Sequence, residues 1–228
     1  MTTIVGIKAG KKGQEGIVLA SDTSSTFEQY QEQGDVIFRQ KYRGEAQKII
    51  KNNAGDLAFG MSGRFDEQYG RFMFDLEDGE IDFKKALEEN YFVELQHLNL
   101  WRMEGRFWDG SKTNSLLVAT RFDKKPILYT CWPLGRIEEK DYTAIGSGSN
   151  HALNYLNEKQ IFKPERLSLK DAVSLANEAL EKASTDLYTS GTDIVVITPE
   201  QILEFGPKIK KDIDKAKKNS IENILKEL

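Results

Sequence analysis

The chain has 228 residues, of which 39% are hydrophobic, and a formal net charge of -4 with a sequence pI of about 5.5. It can bury a sizeable core, and its mildly acidic balance argues against general nucleic-acid or anionic-membrane partners. No apolar run approaches the roughly 20 residues that span a bilayer, no secretory signal pattern opens the chain, and one cysteine, Cys131, excludes an internal disulfide and fits a reducing cytoplasm.

The opening MTTIVGIKAG places two threonines directly behind Met1 and then runs into an apolar strand over 2–8. A turn with Gly10 and Gly13 leads to a second strand, GIVLAS, over 16–21. The segment 27–46 is polar and reads either as an extended hairpin or as a surface loop. QKIIKN (47–52) and DLAFGMS (56–62) read as a strand pair joined through NNAGD. From Arg64 the period changes: Phe65, Tyr69, Phe72, Met73 and Leu76 recur at helical spacing. A second helix is expected over 82–103, with Phe83, Leu87, Tyr91, Leu95 and Leu98 on one face. SLLVAT (115–120), PILYTC (126–131) and YTAIGS (142–147) are three further strands. A helix is expected after Ser149, and another over 168–184 with Leu169, Ala172, Val173, Ala176, Leu180 and Ala183 on one stripe. DIVVIT (193–198) and ILEF (202–205) complete the strands, and 208–228 reads as a charged terminal helix.

Strands follow one another without intervening helices, so they pair mostly antiparallel. Two sheets covered by helix layers would bury both faces of each sheet. The expected class is therefore α+β: a four-layer αββα sandwich of two mainly antiparallel sheets, formed by residues 1–228 as a single domain.

Several familiar site patterns are absent. GMSGR lacks the final glycine of a nucleophile elbow, GSGSNH has His151 where a third glycine would stand, and no phosphate-binding loop occurs. Two histidines, His97 and His151, with one cysteine do not make a zinc site, so neither metal nor cofactor is expected.

Thr2 offers a different chemistry. Once Met1 is removed, Thr2 carries a hydroxyl and a free α-amine on one residue. Such an amine titrates at about 7.7–8.0 and can take the hydroxyl's proton near neutral pH. A nearby lysine ammonium would disfavour the charged form of the amine, and an aspartate would hold that lysine.

TTIVGI, GIVLASDT, QKIIKN, FGMSGRFDE, LLVATRFDKKPILYTCWPLG, AIGSGSNHAL and DLYTSGTDIVVIT, in that order, resemble the proteasome β-type subunits of the N-terminal nucleophile (Ntn) hydrolases. The resemblance covers about 2–205 and implies the Ntn hydrolase fold. It implies that Thr2 is the nucleophile, that Asp22 orients the catalytic lysine, and that Lys48 is that lysine. Gly63 would offer its N–H to the oxyanion, Ser147 would lie near the Thr2 amine, and Asp186 would be a supporting acid. The supporting hydroxyl stays open between Thr189 and Ser190. Thr26, Met61 and Phe65 would meet substrate, with Met61 and Phe65 favouring cleavage after apolar or aromatic residues. The stretch from Asp22 to Lys48 exceeds the family norm, which leaves Lys41 and Lys51 as competitors. Lys48 is preferred because Ile49 and Ile50 behind it fit a strand.

The implied activity is that of a threonine-type endopeptidase acting on polypeptides inside a cytoplasmic homo-oligomeric ring. α-Type ring subunits or an ATP-dependent unfoldase are the further partners implied. Two alternatives stay open: a non-catalytic ring subunit that retains Met1, and a transpeptidase or amidase on the same scaffold.

Overall fold

A computed structural model of the chain describes residues 2–33, 36–63, 77, 78, 83, 85, 115–131, 137–159, 163–184 and 192–205, with 24–33 and 36–45 as backbone only. Twelve strands and two α-helices are defined among them: β1 (Thr3–Ala9), β2 (Gly16–Asp22), β3 (Ser24–Gln33), β4 (Val36–Glu45), β5 (Ile49–Lys51), β6 (Leu57–Ser62), β7 (Ser115–Thr120), β8 (Ile127–Cys131), β9 (Ile137–Glu139), β10 (Tyr142–Gly146), α1 (Ser149–Glu158), α2 (Leu169–Ala183), β11 (Thr192–Ile197) and β12 (Ile202–Phe205).

One five-stranded sheet has the order β10-β1-β2-β11-β12, and a second has the order β5-β6-β7-β8-β9. Every pairing in both is antiparallel. Alternate residues along each strand therefore serve two different cores. Ile4, Ile17, Leu19, Ile145, Val195 and Ile197 from the first sheet meet Ile49, Ala58, Leu117, Ala119 and Leu128 from the second. The opposite face of the first sheet, with Val5, Ile7, Val18, Ala20, Ile194 and Val196, is covered by α1 and α2. The outer face of the second sheet gathers Leu57, Phe59, Leu116, Val118 and Cys131 around Phe83, which is itself helical. The two sheets thus stack as the expected sandwich, with α1 and α2 covering the first and the helical residue Phe83 lying on the outer face of the second.

Burial on both faces explains why β1 and β2 read as nearly unbroken apolar runs although they are antiparallel. Four alanines of α2 (Ala172, Ala176, Ala179 and Ala183) and Ala152 of α1 are buried, and small side chains let a helix lie close to a pleated surface. Ser168 caps α2 by accepting from Asp171 N at 3.2 Å, and its own hydroxyl donates to Asp171 Oδ2 at 2.6 Å.

The segment after Asp22 is the hairpin alternative, not the loop. β3 and β4 pair over ten registers from Ser24↔Glu45 to Gln33↔Val36 as a two-stranded sheet. β9, IEE, was not anticipated; it is a short edge strand with no apolar run to mark it. The expected helix over 64–76, most of that over 82–103, the terminal helix 208–228, His97 and all three tryptophans lie outside the described residues.

Candidate active site

Thr3 pairs with Gly146, so β1 starts beside the end of β10. Ile4 pairs with Ser21, which puts the end of β2 on the other side of β1. Thr192 pairs with Asp22, so β11 also begins here. In the second sheet Ile49 pairs with Gly60, which brings the Lys48 end of β5 and the Ser62–Gly63 end of β6 to one edge. The residues named from sequence that the structure describes, Thr26 and Met61 aside, therefore come from strand ends that gather at the start of β1.

Asp22 links them. Its Oδ1 accepts from Thr3 N at 2.6 Å, and its Oδ2 accepts from Lys48 Nζ at 2.6 Å. The Lys48 and Asp22 side chains are 6% and 12% exposed, so this ion pair is largely screened from water. Burial lowers the Lys48 pKa from its usual value, and the hydrogen bond and charge of Asp22 oppose that shift. The competitor Lys51 is engaged elsewhere, with Glu204 at 2.6 Å. Lys41 sits in β4 opposite Glu28.

The backbone of Thr2 is held from the other side: its carbonyl accepts from Ser147 N at 3.0 Å. Gly146, at φ +100°, makes this approach possible. A Cβ at that position would stand 1.8 Å from Thr2 O, so no other residue fits without moving the start of β1. Gly63, at φ +126°, ends β6 and is exposed.

Thr3 is a further member of this cluster that the sequence reading missed. It is buried, its amide is the group that Asp22 holds, and its Oγ1 accepts from Gly148 N at 3.2 Å. The doublet of threonines was the signal: the second anchors the strand, which leaves the first at its open end. Asp193 was also missed. It is 1% exposed and its Oδ2 accepts from Ile49 N at 3.4 Å. An acid opening the apolar run DIVVIT was its signal.

Met61 is half-buried and packs onto the outer core of the second sheet with Phe59 and Phe83. Thr26 pairs by backbone with Arg43 in the β3–β4 hairpin. Phe65, Asp186, Thr189 and Ser190 lie outside the described residues. Cys131 is buried in the outer core, where desolvation pushes its thiol up to about 12, and it takes no part in the site.

The model of the family described as "Proteasome subunit" matches residues 102–198. Proteasome subunit beta 2 of Korarchaeum cryptofilum is 27% identical over 209 residues, which covers 90% of this chain and 98% of that protein. Proteasome subunit beta 2 of Pyrococcus furiosus is 26% identical over 216 residues, covering 92% and 94%. Proteasome subunit beta 1 of Nitrosopumilus maritimus reaches 39% identity, but over 88 residues that cover 38% of this chain and 43% of that protein.

Proposed function

The chain belongs to the proteasome β-type family of Ntn hydrolases, and from that premise we propose that it is a threonine-type endopeptidase whose nucleophile is Thr2. The observation that carries the reading is the Asp22 carboxylate, which holds the Thr3 amide and the Lys48 ammonium at the amino end of the chain's first strand.

In this reading removal of Met1 frees the Thr2 amine. Thr2 Oγ1 attacks the carbonyl carbon of a peptide bond, and its proton passes to the amine. Lys48 keeps that amine from being protonated, because two neighbouring cations repel. Gly63 N–H stabilises the oxyanion of the tetrahedral intermediate; one such donor is worth about 2.7–4 kcal/mol in other hydrolases. Collapse of the intermediate expels the amine half of the substrate, which takes the proton, and leaves an ester on Thr2. Water then hydrolyses the ester and restores the hydroxyl. An extended substrate would bind by strand addition beside the site. Met61, with Phe65, would receive an apolar or aromatic side chain before the cleaved bond. The chain would work in a ring built from copies of itself, with α-type subunits as the partner ring.

The test joins intact mass to activity. The purified protein should have lost one methionine, and it should cleave fluorogenic peptides with an apolar residue before the bond faster than basic or acidic ones. Thr2→Ala should abolish cleavage without lowering the melting temperature by more than a few degrees. Retention of Met1, with no cleavage of any of these peptides, would favour a non-catalytic ring subunit.

A further inference from the structure

A second buried carboxylate lies beneath the site. Asp193, the second residue of β11, is in the first sheet, while Ile49 opens β5 in the second and Lys48 immediately precedes it. Asp193 Oδ2 accepts from Ile49 N at 3.4 Å, and the Lys48 amide donates to the same carboxylate. Its other oxygen, Oδ1, is buried with no hydrogen-bond partner among the described residues, as are Ser21 Oγ and Thr23 Oγ1. Ser21 is the register partner of Asp193 on β2. An acid kept in such a place at the cost of an unpaired oxygen is an unusual feature of a sandwich core and calls for a role.

We propose that Asp193 is the positioning residue that aims Lys48: its carboxylate ties the amides of Lys48 and Ile49 to the facing sheet, so that the Lys48 side chain leaves β5 toward Asp22. The proposal rests on the Thr2 peptidase reading. Lys48 immediately precedes a strand of only three residues, whose pairing to β6 begins at Ile49↔Gly60. The ladder therefore does not constrain the Lys48 backbone itself. The tie across the sheets does, and it comes from the strand that also flanks Asp22 through Thr192. β11 thus sets both partners of the ion pair, Asp22 by strand pairing and Lys48 by its acid.

The environment gives this tie a pH dependence. Burial raises the Asp193 pKa to about 6, the two amides oppose the shift, and the charge of Glu204 on β12 adds to it. Among the described residues, Asp22 on β2 is the register partner of the neighbouring Thr192, and Glu204 is itself paired with Lys51 at 2.6 Å. Between about pH 4 and pH 6 the folded protein holds a proton on Asp193 that the unfolded chain has released. Stability therefore falls as pH rises through that window, and the cost is fully present above it.

The experiment compares the assembled wild type with Asp193→Ala, Asp193→Asn and Thr2→Ala. Asp193→Ala should lower kcat on an apolar fluorogenic peptide by about 10–100-fold, the range seen when a supporting hydrogen bond is removed elsewhere, with KM within twofold. Asp193→Asn keeps an oxygen acceptor and should recover most of kcat. It should also lack the wild-type limb near pH 6 and gain thermal stability relative to wild type between pH 4.5 and 7.5. In a crystal structure of Asp193→Ala, Lys48 Nζ should leave its 2.6 Å contact with Asp22. The proposal is overturned if Asp193→Ala keeps the wild-type kcat, if its loss of kcat only tracks loss of folded assembly, or if the Lys48–Asp22 contact stays in place. Should Asp193→Ala fail to fold, persistence of the pH 6 limb in Asp193→Asn overturns it. Absence of Thr2-dependent cleavage in the wild type would sink the peptidase reading instead, and the crystal structure alone would then decide the role of Asp193.

Discussion

Thr2 and Thr3 are adjacent and chemically identical, yet the strand gives them opposite tasks. Thr3 is enclosed, with its amide on Asp22 and its hydroxyl on Gly148 N. Thr2 stands just before the ladder, held by its carbonyl on Ser147 N. The carbonyl contact depends on Gly146, where any Cβ would collide with Thr2 O. Gly146→Ala should therefore displace the start of β1 and cut Thr2-dependent cleavage at least a hundredfold. Gly13→Ala, at an open position with nothing near the added Cβ, serves as the control and should cost no more than about 1 kcal/mol for its positive φ. Peptidase kinetics on the two variants check this. Much of the site could be read from sequence at this scale. Asp22 stands at the end of an apolar strand and Lys48 at the start of another, and they do meet. The signals for Thr3 and Asp193, a threonine doublet and an acid opening an apolar run, were too weak to single them out, because a hydroxyl or acid beside an apolar run has the same pattern whether it faces solvent or a buried amide.

The elements follow the apolar periodicity closely where one face or both faces are buried. β7 is SLLVAT as expected, and α2 departs from its expected bounds by one residue at each end. The readings fail where burial does not write the pattern. β9 is polar, and its register with β8 (Tyr129↔Glu139) is set by the sheet rather than by its own residues. β5 is shorter than QKIIKN suggests, because only Ile49, Ile50 and Lys51 reach the β6 ladder. At this scale the cap of α2 is the clearest target. Ser168→Ala removes the acceptor for Asp171 N and should destabilise the protein by about 1 kcal/mol. Thermal unfolding should report the loss, with the peptidase activity per folded subunit unchanged, because α2 packs on the helix-covered face of the first sheet.

The whole molecule brings the Thr2 backbone, Asp22 and Lys48 to the rim where two sheets end. A peptidase with an open rim would attack folded neighbours without selection, so enclosure in a ring is the physically economical arrangement. Native mass spectrometry should find a multiple of the 25.9 kDa subunit. A clean monomer at working concentration would argue strongly against the ring. Thr2→Ala should leave the assembled mass unchanged apart from the substitution.

Composition and periodicity determined the class of the fold, the strand sequence and the pairing sense, because alternation and helical spacing are local consequences of which residues must be buried. The resemblance of the ordered motifs to proteasome β-type subunits, and not composition or periodicity, brought forward Thr2, Asp22 and Lys48 as a set. The tertiary structure alone decided that Asp22 serves two partners, that Lys48 and not Lys51 meets it, and that Asp193 lies under the β5 amides. Those facts depend on which strand ends coincide when two sheets stack. That is set by the packing of the Ile4, Leu19, Leu117 and Val195 core between them, a sum over residues far apart in the chain that no short window of sequence contains.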